Sequence, residues 1–429
     1  MRAAGAVDRV LEVAARVEPI VRAWAYLDPV RARREADAVD ARAASDPRGG
    51  LPLAGLVLGV KDIFDTSDQP TEYGSQLYAG HRPVADAAAV ALLRAAGAVC
   101  LGKTVTAELA CSHPGPTTNP HRATHTPGGS SSGSAAAIAS GMADVALGTQ
   151  TAGSVIRPAS FCGVYGFKPS FGTVSAAGVK ACAPSLDTVG WFARDPVLLD
   201  RVRVCLTGRE PAPRLAAPPQ LGLLRTDQWA GCAADSQRAV LAAAAAARAA
   251  GTVVTDLSQP RFLTGLASQH QVVMAYEAAR ALAWEHSRYP GSLSARLRQL
   301  LDQGRAVDPA DYDAVLARRA AALARIEELF TGNDAVLTPA VTGEAPEGLG
   351  STGDPRCARL WSLLGLPCVN LPGAVGDTGL PIGVQLVGRP GRDAELLAIA
   401  GWLAESGVTP RVVAMISDNE TPVSHYGGR

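Results

Sequence analysis

The sequence predicts an α/β protein with largely parallel strands, and two recurring patterns carry that expectation. Short apolar runs, several of them ended by glycine, recur at Leu56 to Val60, Ala98 to Leu101, Val145 to Leu147, Leu221 to Leu224, Val253 to Leu257, Ala335 to Leu337, Val369 to Leu371 and Val384 to Val387. Buried strands have this appearance. Between several of them lie alanine-rich stretches such as Ala85 to Ala96 and Ser236 to Ala250, each followed by a glycine (Gly97, Gly251) where a helix C-cap falls. Helix, glycine and strand in repeating order is the signature of helices packed on a sheet.

Along the chain, residues 6 to 46 read as helical: Val7, Val10, Leu11, Val17 and Val21 keep the helical period, and Arg31, Arg33 and Arg34 read as a solvated outer face. No period of 20 to 50 residues is present, which excludes a repeat architecture. The expected organisation is a single domain over 1–410: N-terminal helices over 1–50, a core over 51–200, and the rest of the sheet with pocket-forming helices over 201–410. The tail 411–429, polar from Ser417 to Arg429, reads as a frayed terminus. The segment 258–330, with Tyr276, Trp284, Tyr289 and Tyr312, is expected to shape a pocket.

Composition narrows the function. With 47% hydrophobic and 19% charged residues, 429 residues can bury a large core. Lys+Arg and Asp+Glu both number 40, so no global field attracts nucleic acid or an anionic membrane. The apolar tract Ala239 to Ala247 is bounded by Arg238 and Arg248 and is too short to span a bilayer. The N-terminus has charges at Arg2, Asp8 and Arg9 and no apolar leader core, and the expected location is cytoplasmic. The eight cysteines are scattered singly and read as small buried thiols. His121 and His125 are bracketed by Pro120 and Pro127, with no helix to align them on a metal, and no metal or cofactor is expected.

The chemistry lies in two serine loops and one lysine. Pro127-Gly-Gly-Ser-Ser-Ser-Gly-Ser134 runs directly into Ala135-Ala-Ala-Ile-Ala139, a good helix start, so it is no flexible linker. As a phosphate loop it fails, because Ser134 stands where a lysine is needed. In the second loop, Gly148-Thr-Gln-Thr-Ala-Gly-Ser-Val-Ile-Arg-Pro158, small residues Ala152 and Gly153 precede Ser154. A substrate carbonyl there meets one hydroxyl together with backbone N–H donors of residues 151 to 154, the elements of an oxyanion hole. Neither loop holds a histidine. Lys61, at the end of the apolar run Leu56 to Val60, can act as base if burial strips its ammonium of a proton near neutrality. Serine–lysine pairs are variants of the serine–histidine–aspartate arrangement; the alternative is packing serines and a surface lysine. Cys162, in an apolar run after Phe161, reads as packing.

Gly59-Val-Lys-Asp62, Gly128 to Ser134 and the Ser154 loop resemble the amidase signature family, and Gly163-Val-Tyr-Gly-Phe-Lys-Pro169, Asp187-Thr-Val-Gly190 and Gly379-Leu-Pro-Ile-Gly-Val-Gln385 extend the likeness over roughly residues 50 to 405. The resemblance implies one α/β/α domain around a large mixed sheet and an acyl-enzyme mechanism without metal or cofactor. It implies that Ser154 is the nucleophile, that Ser130, on a cis peptide, shuttles the proton, and that Lys61 is the general base. Thr151, Ala152, Gly153 and Ser154 then supply the oxyanion donors. The implied activity is hydrolysis of linear, non-peptide carbon–nitrogen bonds in a small-molecule amide.

Within that family the chain looks most similar to malonamidases, in Gly148-Thr-Gln-Thr, in the three-residue step from Ser154 to Arg157, in Ala281 to Glu285 and in Ser351 to Arg356 with Arg359-Leu-Trp361. That likeness makes Arg157 the residue for a substrate carboxylate, a pairing the arginine fork suits; a structural arginine bonded to carbonyls is the alternative. By the same comparison Thr149 orients the serine loop, and Gln150, Ser131 and Thr118 are further pocket candidates. A homodimer is implied by family analogy alone. Two other outcomes share the acyl-enzyme: a glutamine-dependent amidotransferase A-type subunit, and an acyl transferase using an amine acceptor. The former carry Asp-x-Gly-Gly in the nucleophile loop, against Gln150 and Ala152 here.

Overall fold

The computed structural model describes residues 2–45, 50–111 and 113–409, and one eleven-stranded sheet runs through them. The strands are β1 (Trp24–Leu27), β2 (Val57–Lys61), β3 (Val99–Thr104), β4 (Val145–Gln150), β5 (Tyr165–Lys168), β6 (Thr188–Ala193), β7 (Gln220–Leu224), β8 (Val253–Leu257), β9 (Ala335–Pro339), β10 (Cys368–Val375) and β11 (Pro381–Val387), in the order β1-β3-β2-β4-β6-β5-β10-β11-β9-β7-β8. The sheet is mixed, as expected, but not mostly parallel. Parallel pairing is confined to β3-β2-β4 and β9-β7-β8, and the other six pairings are antiparallel. The centre is built from antiparallel returns that need no helical crossover, β5 to β6 through the loop 169–187 and β10 to β11 through 376–380.

Helices cover both faces. Alternate strand residues face opposite layers. Val57, Leu101 and Ala146 join a core with α1 (Ala3–Val21), α2 (Pro29–Ser45) and α4 (Ser132–Ala139), whereas Leu58, Cys100 and Leu147 join one with α3 (Ala88–Ala95), α6 (Pro196–Thr207) and α7 (Ala234–Ala249). α5 (Ile156–Cys162) packs on β10 and β11. A third cluster beside β9 gathers α8 (Leu266–Ala281), α11 (Pro309–Leu323) and α12 (Arg356–Leu363), with α9 (Ala283–Arg288), α10 (Ala295–Ala306) and α13 (Asp393–Glu405) completing the helices. Among the described residues no helix is long and apolar enough to cross a membrane.

The single helical stretch read over 6 to 46 is two helices with a strand between them. α1 ends at Arg22 in the left-handed region, where the Glu18 carboxylate accepts the N–H groups of Ala23 and Trp24. Asp28 then accepts the Arg31 N–H, and Pro29 opens α2, a start signal that the helical periodicity hid. Arg31 is no solvated residue: it pairs with Glu35 and Asp68 and its guanidinium bonds the Cys100 carbonyl, while Arg33 and Arg34 are exposed. β8, expected to be buried, is the exposed edge of the sheet. Gly97 and Gly251 adopt φ of 94° and 96° just past α3 and α7, the left-handed closure expected of them. The tail expected over 411–429 lies outside the described residues.

Candidate active site

Lys61 is the last residue of β2, flanked by β3 and β4 in parallel register, so its side chain leaves the C-terminal edge of the strand trio, fully buried. Its Nζ lies 2.8 Å from Ser130 Oγ and 2.7 Å from Thr149 Oγ1 at the end of β4. Ser130 belongs to the loop entering α4; the Gly129–Ser130 peptide is cis, and the Ser130 carbonyl accepts the Ala107 N–H. Close approach holds the loop in place: a Cβ on Gly133 would lie 2.2 Å from the Ala23 carbonyl oxygen, so only glycine fits.

The Ser154 loop connects β4 to α5. Its carbonyls are tied back from outside: Thr151 O accepts from His270 Nε2 on α8 at 2.9 Å, Ala152 O from Ser362 Oγ on α12 at 2.7 Å, and Gly153 O from the Arg157 N–H at 3.0 Å. The N–H groups of residues 151 to 154 have no acceptor among the described residues. Thr151, Ala152 and Ser154 line a cavity of about 590 Å³. The loop therefore has the electrostatic form of an oxyanion site. Ala152 does not adopt a positive φ, so its Cβ is accommodated where the family often has glycine. Ser154 Oγ, nearly buried, has no partner among the described residues, and no Ser130–Ser154 hydrogen bond is formed; such bonds often tighten only with substrate.

Burial sets the electrostatics. It pushes the Lys61 ammonium down to about 7, against the opposing pull of Asp187 and the thiols of Cys182 and Cys111. Asp187, also buried, is pushed up to about 6 by desolvation, although it accepts from the Thr151 hydroxyl (2.5 Å) and from the N–H groups of Cys182 and Ala183. His270 is pushed down to about 4 by burial. It is neutral near pH 7 and donates to the Thr151 carbonyl. Replacing His270 by Phe leaves that buried carbonyl unpaired, and we expect a loss of about 1–3 kcal/mol in unfolding free energy by urea titration. Unchanged stability would refute the tie.

The sequence candidates divide. Lys61, Ser130 and Thr149 come together, and the Thr151 to Ser154 loop and Arg157 border the cavity. Of the five pocket candidates Arg157, Thr149, Gln150, Ser131 and Thr118, only Arg157 lines it. Thr149 is spent on Lys61. Gln150, fully buried, accepts from the Val155 and Ile156 N–H groups and donates to Ser362 Oγ. Ser131 Oγ ties to the Thr149 carbonyl at 3.3 Å, and Thr118 bonds the Ile20 carbonyl at the end of α1. Short polar side chains beside a serine loop were free to hold backbone, and these three do. Asp187, His270, Ser362 and Gln271 were not singled out; Asp187 lay inside a quoted motif, while the others carry no local signal. Burial pushes the Cys162 thiol well up, and it is packed as expected. Seven of the eight cysteines are buried, Cys205 being half-buried. Among the described residues no cluster of His, Cys, Asp or Glu is placed to hold a metal ion.

A fold of this kind around a serine loop and a buried lysine defines an amide-cleaving enzyme, and comparison with known proteins agrees. The family model described as Amidase matches residues 6–397. The chain belongs to that family, the amidase signature enzymes. It is 36% identical to the A-type subunit of the glutamyl-tRNA(Gln) amidotransferase from Anaeromyxobacter sp. (strain K), covering 86% of each chain. Among solved structures, it resembles an amidase at 32% identity, with a TM-score of 0.86 over 94% of this chain and 96% of that one. The native peptide amidase from Stenotrophomonas maltophilia is similar at 27% identity, with a TM-score of 0.80 over 96% and 95%.

Proposed function

We propose that the chain hydrolyses the amide of a small, carboxylate-bearing acyl group, malonamate being the type, through an acyl-enzyme on Ser154. The observation that carries the reading is the Lys61–Ser130 bond of 2.8 Å in a fully buried site, next to a loop whose unpaired N–H groups adjoin Ser154. Ser154 Oγ attacks the amide carbon while its proton passes to Ser130 Oγ, and the Ser130 proton passes to the neutral Lys61 amine. The oxyanion is held by the N–H groups of residues 151 to 154. When the tetrahedral species collapses, the C–N bond breaks and the leaving nitrogen takes the proton of Ser130, which Lys61 restores. Water then adds to the ester along the same relay, releasing the acid and Ser154.

Arg157 supplies the selectivity. It is buried, and its NH2 group donates to the Gly129 carbonyl and to Thr352 Oγ1 (2.5 and 3.1 Å), while Nε and NH1 have no acceptor among the described residues. Unpaired buried donors on a cavity wall favour an anionic substrate group. The test is ammonia release from malonamate and from propionamide: Arg157→Gln should lower the malonamate to propionamide ratio of kcat/KM by about 100-fold. An unmoved ratio removes the carboxylate from the reading.

The A-type member of a glutamine-dependent amidotransferase is a second reading, favoured by the 36% identity to such a protein. In that reading the cleaved amide is the glutamine side chain and a partner receives the ammonia. Against it stand Ala152 and the use of Gln150 as a clamp on α5. Ammonia release from malonamate, but not glutamine, by the isolated chain supports the first reading; the reverse supports the second.

A further inference from the structure

The cavity beside Ser154 carries three arginines, Arg157, Arg296 and Arg359, and no acidic side chain among its described lining residues. This stands out in a chain with no formal net charge. Asp354, between the lining residues Gly353 and Pro355, is already clamped by Arg356: Oδ2 lies 2.7 Å from Nε and from NH2, and Oδ1 accepts the Arg356 N–H. Asp354 thus compensates one of the three guanidiniums it faces, those of Arg157, Arg356 and Arg359. Arg296, exposed at the mouth, is tied to the Gly350 carbonyl.

Arg359 lies on α12, half-buried, and forms no ion pair within 4.0 Å among the described residues. With the Gln271 amide turned so that its oxygen faces the guanidinium, Oε1 accepts from NH2 at 2.9 Å and from NH1 at 3.2 Å. A neutral amide from α8 therefore orients the charge without cancelling it. Arg157 and Arg359 line the same cavity wall, and the Arg157 guanidinium is pushed down to about 10, first by burial and then by the Arg359 charge, so two repelling guanidiniums face one cavity. Like charges held together in a partly desolvated wall are stabilised by an anion placed between them.

Resting on the function proposed above, we infer that Arg359, set by Gln271, is a second specificity residue, and that the substrate is the monoamide of a dicarboxylic acid whose free carboxylate lies between Arg157 and Arg359. A neutral acyl chain there leaves both guanidiniums without a counter-ion in a partly desolvated wall. The dicarboxylate product keeps the same contact, so it binds the free enzyme.

Calorimetric titration with malonate, succinate and glutarate tests this without turnover. Wild type should bind at least one of the three. Arg359→Gln should weaken that affinity about tenfold or more, and Gln271→Glu should do the same by placing a carboxylate on the guanidinium; melting temperatures establish that both variants are folded. Wild-type affinity in both variants, with affinity lost in Arg157→Gln, overturns the inference and leaves the function standing. Wild-type affinity in Arg157→Gln, or no binding of any dicarboxylate by wild type, overturns the carboxylate-bearing substrate itself.

Discussion

Ser154→Ala should abolish turnover, lowering kcat/KM by roughly 10⁴-fold or more, while leaving the fold intact. The two effects separate because of where the hydroxyl sits. Ser154 Oγ makes no hydrogen bond with any described residue, so its removal strands no partner, and the change in stability should stay within about 1 kcal/mol. The loop is held by its carbonyls, through His270, Ser362 and the Arg157 N–H, none of which involves that hydroxyl. Intact-protein mass spectrometry after rapid quenching with an amide substrate provides the direct reading. Wild type should gain the mass of the acyl group, and Ser154→Ala should gain nothing. A variant that retains more than about a hundredth of wild-type kcat/KM, or still carries the adduct, places the nucleophile elsewhere.

The chemistry was legible because its residues sit in local patterns of strong meaning. Lys61 ends an apolar run, and a lysine at the end of a buried strand has nowhere wet to go. Glycine–serine loops that lead into helices announce exposed backbone donors. What surrounds them was illegible for an equally physical reason. His270 reaches Thr151 across 119 positions and Ser362 reaches Ala152 across 210. These contacts exist only because α8 and α12 pack against the loop, and the likeness quoted on α12, Arg359-Leu-Trp361, stops one residue short of Ser362. Polarity near the serines pointed to substrate, yet Gln150, Ser131 and Thr118 serve backbone groups that would otherwise be buried and unpaired.

The fold shows the same division. Runs such as Val57–Lys61 and Val145–Gln150 are buried on both faces and so read as continuous apolar stretches. β1 is four residues long between two helices, and β5 and β6 lie inside the motifs Gly163 to Pro169 and Asp187 to Gly190, whose glycines obscured their strand character; all three were missed. They add four antiparallel pairings to β10-β11 and β11-β9, which join strands that were read, and so make antiparallel pairing the majority. The parallel trio β3-β2-β4 is nevertheless the part on which the proposed relay rests, because it delivers Lys61 and Thr149 to the same edge.

Lys61→Met should cost about 10³- to 10⁴-fold in kcat/KM and at the same time raise stability at acidic pH. Methionine fills a similar volume without a base. In the wild type, the amine poised near 7 must be neutral to take the Ser130 proton, so kcat/KM should rise with pH and level off above about 7. The stability effect follows from linkage. Between the folded value of about 7 and the ordinary lysine value of 10.5, the unfolded chain holds a proton that the folded one has released. Wild-type stability therefore climbs with pH across that interval, and below it the buried ammonium imposes its full penalty. The variant has no such group. Its melting temperature should exceed that of wild type most clearly near pH 6, and the gap should narrow as pH rises towards 10, with the lost bonds to Ser130 and Thr149 subtracting a constant amount. A wild-type profile flat from about pH 5.5 to 8.5, together with a gap that does not change with pH, would mean that the lysine keeps its proton throughout, and the serine relay would then lack its base.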